Sequence, residues 1–374
     1  MRAAHPSLRT VLLATILGAS AVAPLAAADS ARAPLAAAAD SARAPLAAAA
    51  DSPRTSPSAD ADGSRTSLRA PLIAYALELG PSDSRSDLRE LYQSTSALRA
   101  ATFEIERSVP PRDEDCAQTL GASRFAEQYA QLATIQDQLG NFEAVVQAHR
   151  SALACTPRVA SYEASLAAAY INLDQIAAAR AAAERANALD PDDPEVRELR
   201  ARLDFIEEHW ADATSRFRLL ALGESQRLSQ YARVFLWLAQ RRAGLRNPDI
   251  PEPKPATPVS DEPSRAQSGL EQWPAQMLGA LKGELSEDDL VQVIRQTVPE
   301  SDRRGWLTEA LYYIGERRLA EGDAETARRH FATVINLRVL GYVEYGMARA
   351  ELKKMRDRKA LAEATAAGAS TPGR

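Results

Sequence analysis

The chain has 374 residues, of which 45% are apolar but only 6% aromatic, so it can bury a substantial interior only if alanine supplies much of it. A formal charge of -5 with both signs interspersed excludes the basic footprint of a nucleic-acid-binding or anionic-membrane-binding protein.

Residues 1–28 have the form of a secretory signal peptide: Arg2 and Arg9 make a basic start, 11–22 an apolar centre, and Ala26, Ala27 and Ala28 a small-residue site with cleavage after Ala28. The apolar run falls short of the ~20 residues needed to span a bilayer, which favours cleavage over an uncleaved anchor. No other stretch approaches that length, so no transmembrane segment is expected. The mature chain is expected in the periplasm or secreted. Residues 29–68 repeat a short alanine-rich phrase, 33–43 recurring as 44–54, and hold nothing bulky to fold around. They read as a disordered tether. Asp60, Asp62 and Gly63 hint at a calcium loop, but the further acceptors and the closing Glu are missing, so linker acidity is the better reading.

Across 69–115, helices are expected over 72–79 and 88–105, stopped by Pro110 and Pro111 and forming an N-terminal cap or a degenerate hairpin ahead of the repeats. From 116 to 246 the sequence repeats itself at an interval of 34 residues: Ala126 recurs as Ala160, Leu132 and Ala133 as Leu166 and Ala167, Ala152 as Ala186, and Pro157 as Pro191. That period resembles the tetratricopeptide repeat (TPR), a helical hairpin that must stack on copies of itself to bury its apolar face. The expected fold is all-α, a TPR α-solenoid of stacked hairpins. A third repeat starts at Pro194 behind Asp193, and a helix over 228–243 begins a fourth. Residues 247–268 form a Pro-rich linker. The region 269–358 holds a helix over 270–281, a capping box at Ser286 and Asp289, a last repeat from about Thr308, and a capping helix over 342–354. Residues 359–374 read as a disordered tail.

Trp273 and Pro274, followed by Glu309, Tyr312, Tyr313 and Gly315, the Gly322-Asp323 turn, Ala327, Phe331, Glu344 and Ala350 to Lys353, resemble the new-lipoprotein-I group of bacterial TPR proteins. The resemblance implies a periplasmic adaptor that docks peptidoglycan endopeptidases and a processing protease, dimeric in some members, which leaves a homodimer open. It also implies an outer-membrane anchor, but no cysteine precedes Cys116 to serve as a lipobox, so no lipid anchor is expected.

Cys116 precedes the first helix of repeat one and Cys155 lies near the end of its second. An antiparallel hairpin brings those points to one end, so a disulfide is expected over two free buried thiols. His149, His209 and His330 fall on separate repeats, and Glu207, Glu208 and His209 lack the second histidine of a zinc-protease motif. Solvated or hydrogen-bonded helix histidines are the expectation, with no metal and no cofactor. No P-loop, dinucleotide turn or nucleophile elbow is present, and the chain reads as non-catalytic rather than as a cell-wall hydrolase.

A binding address is more specific. Helix-A positions that usually line a TPR groove are Glu127, Ala130, Thr134 and Asp137 in repeat one, Glu195, Glu198, Arg202 and Phe205 in repeat three, and Glu309, Tyr312, Glu316 and Leu319 in the last. They make an acidic surface with aromatic inserts, suited to basic or mixed polypeptides, against the plainer reading of solvated helix faces. Trp210, Phe217, Phe235 and Trp237 follow core spacing. The basic run Lys353, Lys354, Arg356, Arg358, Lys359 reads as a solvated helix end rather than a docking patch. The sequence reading is thus an adaptor for protein or peptide partners in the cell envelope, with a component of an outer-membrane assembly or secretion complex as the alternative and self-assembly as a third class.

Overall fold

A computed structural model describes residues 70–79, 116–118, 121–252 and 265–369, with isolated helical positions at 96, 100, 103 and 107. All belong to one unit, Ser67–Arg374. The leader, the tether, most of the 88–105 helix, Pro110 and Pro111, and the middle of the Pro-rich linker lie outside the described residues. Among the described residues the protein is all-helical, with thirteen α-helices, two short 3-10 turns and no strand.

The helices are α1 (Pro71–Leu79), α2 (Ala122–Gln138), α3 (Phe142–Cys155), α4 (Ala160–Asn172), α5 (Ile176–Leu189), α6 (Pro194–Ile206), α7 (Trp210–Ala221) and α8 (Gln226–Arg242). After the linker come α9 (Arg265–Lys282), α10 (Glu287–Thr297), α11 (Arg303–Ala320), α12 (Ala324–Leu337) and α13 (Val343–Ala369). From α2 onward each helix packs against its successor, and α4, α6 and α8 also pack in sequence. Loops this short between neighbours turn the chain back on itself, giving the hairpins α2/α3, α4/α5, α6/α7 and α11/α12.

Their period is geometric as well as sequential. The second helices of the first three hairpins begin at Phe142, Ile176 and Trp210, 34 residues apart. The turn before each uses one residue in the left-handed region, Gly140 (φ 73°), Asp174 (φ 60°) and Glu208 (φ 63°), and Gly322 (φ 88°) does the same in the last hairpin. Alanine fills the contact positions: Ala133, Ala167 and Ala201, one per repeat, are each fully buried, which lets the helix axes approach closely. Local signals hold where they are strongest. Asp193 caps α6 through Glu195 N at 2.8 Å with Pro194 at the first helical position, and Ser286 and Asp289 form the capping box of α10.

Three expectations need correction. The α1 helix does not sit ahead of repeat one; it packs on α10, α11 and α12, burying Leu72, Tyr75 and Ala76, with the Arg295 guanidinium 4.5 Å from the centre of the Tyr75 ring. The last helix does not stop at 354 with a tail from 359, because the alanine-rich continuation has high helix propensity and carries α13 to Ala369. The linker is shorter at both ends. Helix α9 already begins at Arg265, and Asp249 exchanges two hydrogen bonds with Gln240 of α8 (2.6 and 3.0 Å) while Arg233 donates to Pro251 O at 2.9 Å.

The Cys116 and Cys155 sulfurs lie at bonding distance with Cα atoms 4.5 Å apart, joining the 3-10 turn Cys116–Gln118 to the end of α3. Reduction is expected to lower the unfolding free energy by roughly 4 kcal/mol through loop entropy, measured as urea unfolding with and without reductant. Ala167→Phe, overfilling a fully buried contact, is expected to cost about 1 to 3 kcal/mol in the same assay.

Candidate functional site

The first helices of the hairpins, α2, α4, α6 and α11, present the face on which the sequence places a groove. The structure divides its residues into two sets. Glu127, Thr134 and Glu195 are exposed, and Ala130, Asp137, Glu198, Arg202 and Leu319 are half-buried. Phe205, Tyr312 and Glu316 are fully buried and Glu309 nearly so. Phe205 is a core residue, edge-on to Trp210 and Phe235 at 5.2 and 5.7 Å between ring centres. The expectation that Glu309, Tyr312 and Glu316 line an open groove is corrected, because α8, α9 and α13 pack over α11 there.

Helix α13 lies across the ends of the earlier hairpins. Leu340, just before it, closes on Gly140 of the first turn; a Cβ at Gly346 would overlap Asn172 Oδ1 and come within 3.3 Å of Ile171 Cγ2 on α4. The last carbonyls of a helix lack an intrahelical partner and carry the negative end of its dipole. The hairpin turns satisfy most of them: Gln175 N bonds Tyr170 O and His209 N bonds Asp204 O, at 2.9 and 2.8 Å. Asn172 O and Ile206 O are equivalent positions in successive repeats. Arg349 donates to the first at 2.6 Å and Lys354 to the second at 2.9 Å, both from α13. The basic run is therefore a docking patch for the protein itself. Lys353 stands 3.4 Å from Asp174, Lys354 stands 3.3 Å from Glu208, and Arg358 also pairs with Glu208. Burial pushes the Glu208 carboxyl up, but Lys354 and Arg358 outweigh it and hold it below its usual range.

Beneath α13 two carboxylates of α11 face two of α13, each pair spaced by seven residues, two helical turns. Glu309 accepts from Trp273 Nε1 at 2.9 Å and Tyr231 OH at 3.0 Å, and Glu344 accepts from Tyr313 OH at 2.6 Å. These direct donors are neutral. Burial, then Glu344, pushes the Glu309 carboxyl up to about 8, and burial raises Glu344 as well. One turn pair further on, Glu316 and Glu351 share Arg242, at 2.5 and 3.9 Å, whose guanidinium also lies 4.8 Å above the centre of the Trp210 ring. Burial, with Glu351 adding to it, still pushes Glu316 up to about 7 against the pull of Arg242.

Among the described residues, Asp204, Glu207 and His209 form the one group whose spacing could hold a metal ion. Guanidiniums already fill it: Arg180 and Arg216 lie 2.7 and 2.6 Å from Asp204, and Arg180 also pairs with Glu207. His149 is buried near Tyr162 and burial lowers it to about 4; His330 is buried and His209 exposed. No family model matches this chain, and no curated protein matches it by sequence.

The sequence expectation of a capping helix over 342–354 did not include its packing on α4 and α6. Its signal was present in Glu344, Met347, Ala348 and Glu351, a stripe at helical spacing, and in acids at the left-handed turn positions 174 and 208 where glycine is the easier choice.

The raised Glu309 value sets a sign for stability. Unfolding releases its proton at any pH between the ordinary carboxyl value of 4.5 and about 8, so stability falls as pH rises through that window. Glu309→Gln is expected to remove one proton's share of the slope, about 1.4 kcal/mol per pH unit, in urea titrations from pH 5 to 8. An unchanged slope would show that Glu309 ionises freely in the folded protein.

Proposed function

We propose that this protein is a non-catalytic helical-repeat scaffold, a TPR α-solenoid that holds protein partners in the bacterial cell envelope. The observation that carries this reading is the recurrence at 34-residue intervals of both the second-helix starts (Phe142, Ile176, Trp210) and the left-handed turn residues (140, 174, 208). That recurrence is the structural counterpart of the repeat period in sequence, and arrays of this kind act through extended surfaces rather than through a reaction centre. The envelope assignment is supported by the leader-like residues 1–28 and by the Cys116–Cys155 pair, which suits an oxidising compartment. The C-terminal resemblance to the new-lipoprotein-I group points to cell-wall hydrolases or their processing protease as partners.

The part of the first-helix face that stays exposed is repeat one, at Glu127 and Thr134, with Glu195 on repeat three. A photo-cross-linker at Thr134 of the full chain, expressed in its native envelope, is expected to capture at least one heterologous envelope protein, and Glu127→Lys is expected to abolish that adduct. Neither side chain is buried, so both variants are expected to fold. Absence of any Glu127-sensitive adduct would count against this face as the binding surface.

A further inference from the structure

We propose that α13 is an exchangeable occupant of the first-helix groove, and that the partner replacing it is a basic amphipathic helix carrying Lys or Arg where α13 carries Glu344. The proposal rests on the reading of that groove as a protein-binding surface and names what the surface takes.

The rim of the groove selects cations. It offers two carbonyls left over by the hairpin turns, Asn172 O and Ile206 O, and two acids, Asp174 and Glu208. Arg349 and Lys354 reach the two carbonyls from positions five residues apart. Five residues of helix rise about 7.5 Å, close to the ~8–10 Å between packed helix axes, so the two cations span the step from one repeat to the next. A partner helix with that spacing would meet the same groups. Both acids stand at φ values of 60° and 63°, a conformation that strains a residue with a side chain. The turns that carry no contact with the basic run use Gly140 and Gly322 instead.

The floor of the groove is mismatched to its present occupant. Glu344 enters a buried layer in which Glu309 already lies, and the groups that donate to the two carboxylates, Tyr231, Trp273 and Tyr313, are neutral. The cations nearby do not resolve this, since Arg227 is exposed and Arg202 lies 3.6 Å from Glu198. Two carboxylates buried in one layer cannot both ionise without cost, whereas a cation at position 344 would pair with an ionised Glu309. The second layer lacks this fault because Arg242 stands between Glu316 and Glu351. Helix α13 is thus well held at its rim and poorly matched at one floor position, so a better-matched helix gains on it where the two differ.

The test uses the full chain and two labelled synthetic peptides spanning 343–358, one with the protein's own sequence and one with Glu344→Lys. Binding is followed by fluorescence anisotropy to wild-type protein and to an Arg349→Ala/Lys354→Ala variant whose own α13 is loosened. The Lys-bearing peptide is expected to bind about tenfold tighter than the native one, and both are expected to bind the loosened variant tighter than wild type. Equal affinity of the two peptides, or no binding to a loosened variant in which hydrogen exchange shows α13 released, would overturn the proposal. Should that variant fail to fold, Glu344→Lys in the full chain decides: amide exchange across α13 is expected to slow about tenfold, and faster or unchanged exchange overturns it. Capture of an envelope protein through Thr134 with no peptide preference would keep the scaffold reading while rejecting this one.

Discussion

The hairpin turn is the constraint on which the rest depends. Each first helix ends by placing one residue in the left-handed region, which lets the amide of the next residue bond back into the helix and redirects the chain into the second helix. Because the turn recurs in register, the same carbonyl is left over in successive repeats. Asn172 O and Ile206 O are that carbonyl, and α13 supplies a cation to each. The repeat therefore creates both the stack and the row of acceptors along which the C-terminal helix lies.

Side-chain choice at the turn follows from that placement. Glycine is the low-strain residue there, and Gly140 and Gly322 use it. At 174 and 208 the strain of an acid is offset by Lys353, Lys354 and Arg358. The depressed Glu208 carboxyl is the electrostatic counterpart of the same contact. Exposed ion pairs alone would contribute little, but here Lys354 also donates to Ile206 O and pairs with the buried Glu351.

Much of the scaffold was legible in the sequence because its signals are local or periodic. The Asp193 and Ser286 caps, the alanine contacts at 133 and 167, and the pairing of Cys116 with Cys155 each follow from spacing within a hairpin. The placements of α1 and α13 were not legible, because they depend on contacts across long stretches of chain, such as Arg304 with Leu79 O and Arg349 with Asn172 O. The candidate groove positions were read as open surface, whereas Phe205, Glu309, Tyr312 and Glu316 are buried. Position within a repeat says which way a side chain points; it does not say what another segment lays over it. Glu309 and Glu316 looked like groove acids for that reason, and the glutamates at 344 and 351, which share their seven-residue spacing, were the overlooked sign of a facing helix.

Both placements answer the same physical need. A stack of hairpins leaves an apolar surface at its end, and terminal units must cover it. Helix α1 does so on α10, α11 and α12 with Leu72, Tyr75 and Ala76, while α13 buries Met347 and Ala348 among α4, α6 and α11. The two coverings differ in kind. Helix α1 buries leucine, tyrosine and alanine, whereas α13 brings Glu344 beside Glu309 and Glu351 beside Glu316. An apolar cover is held by the apolar surface it buries. A cover that must desolvate charge is held by the balance of its rim contacts against its floor, and a balance of that kind is what allows one segment to be exchanged for another without disturbing the helices beneath.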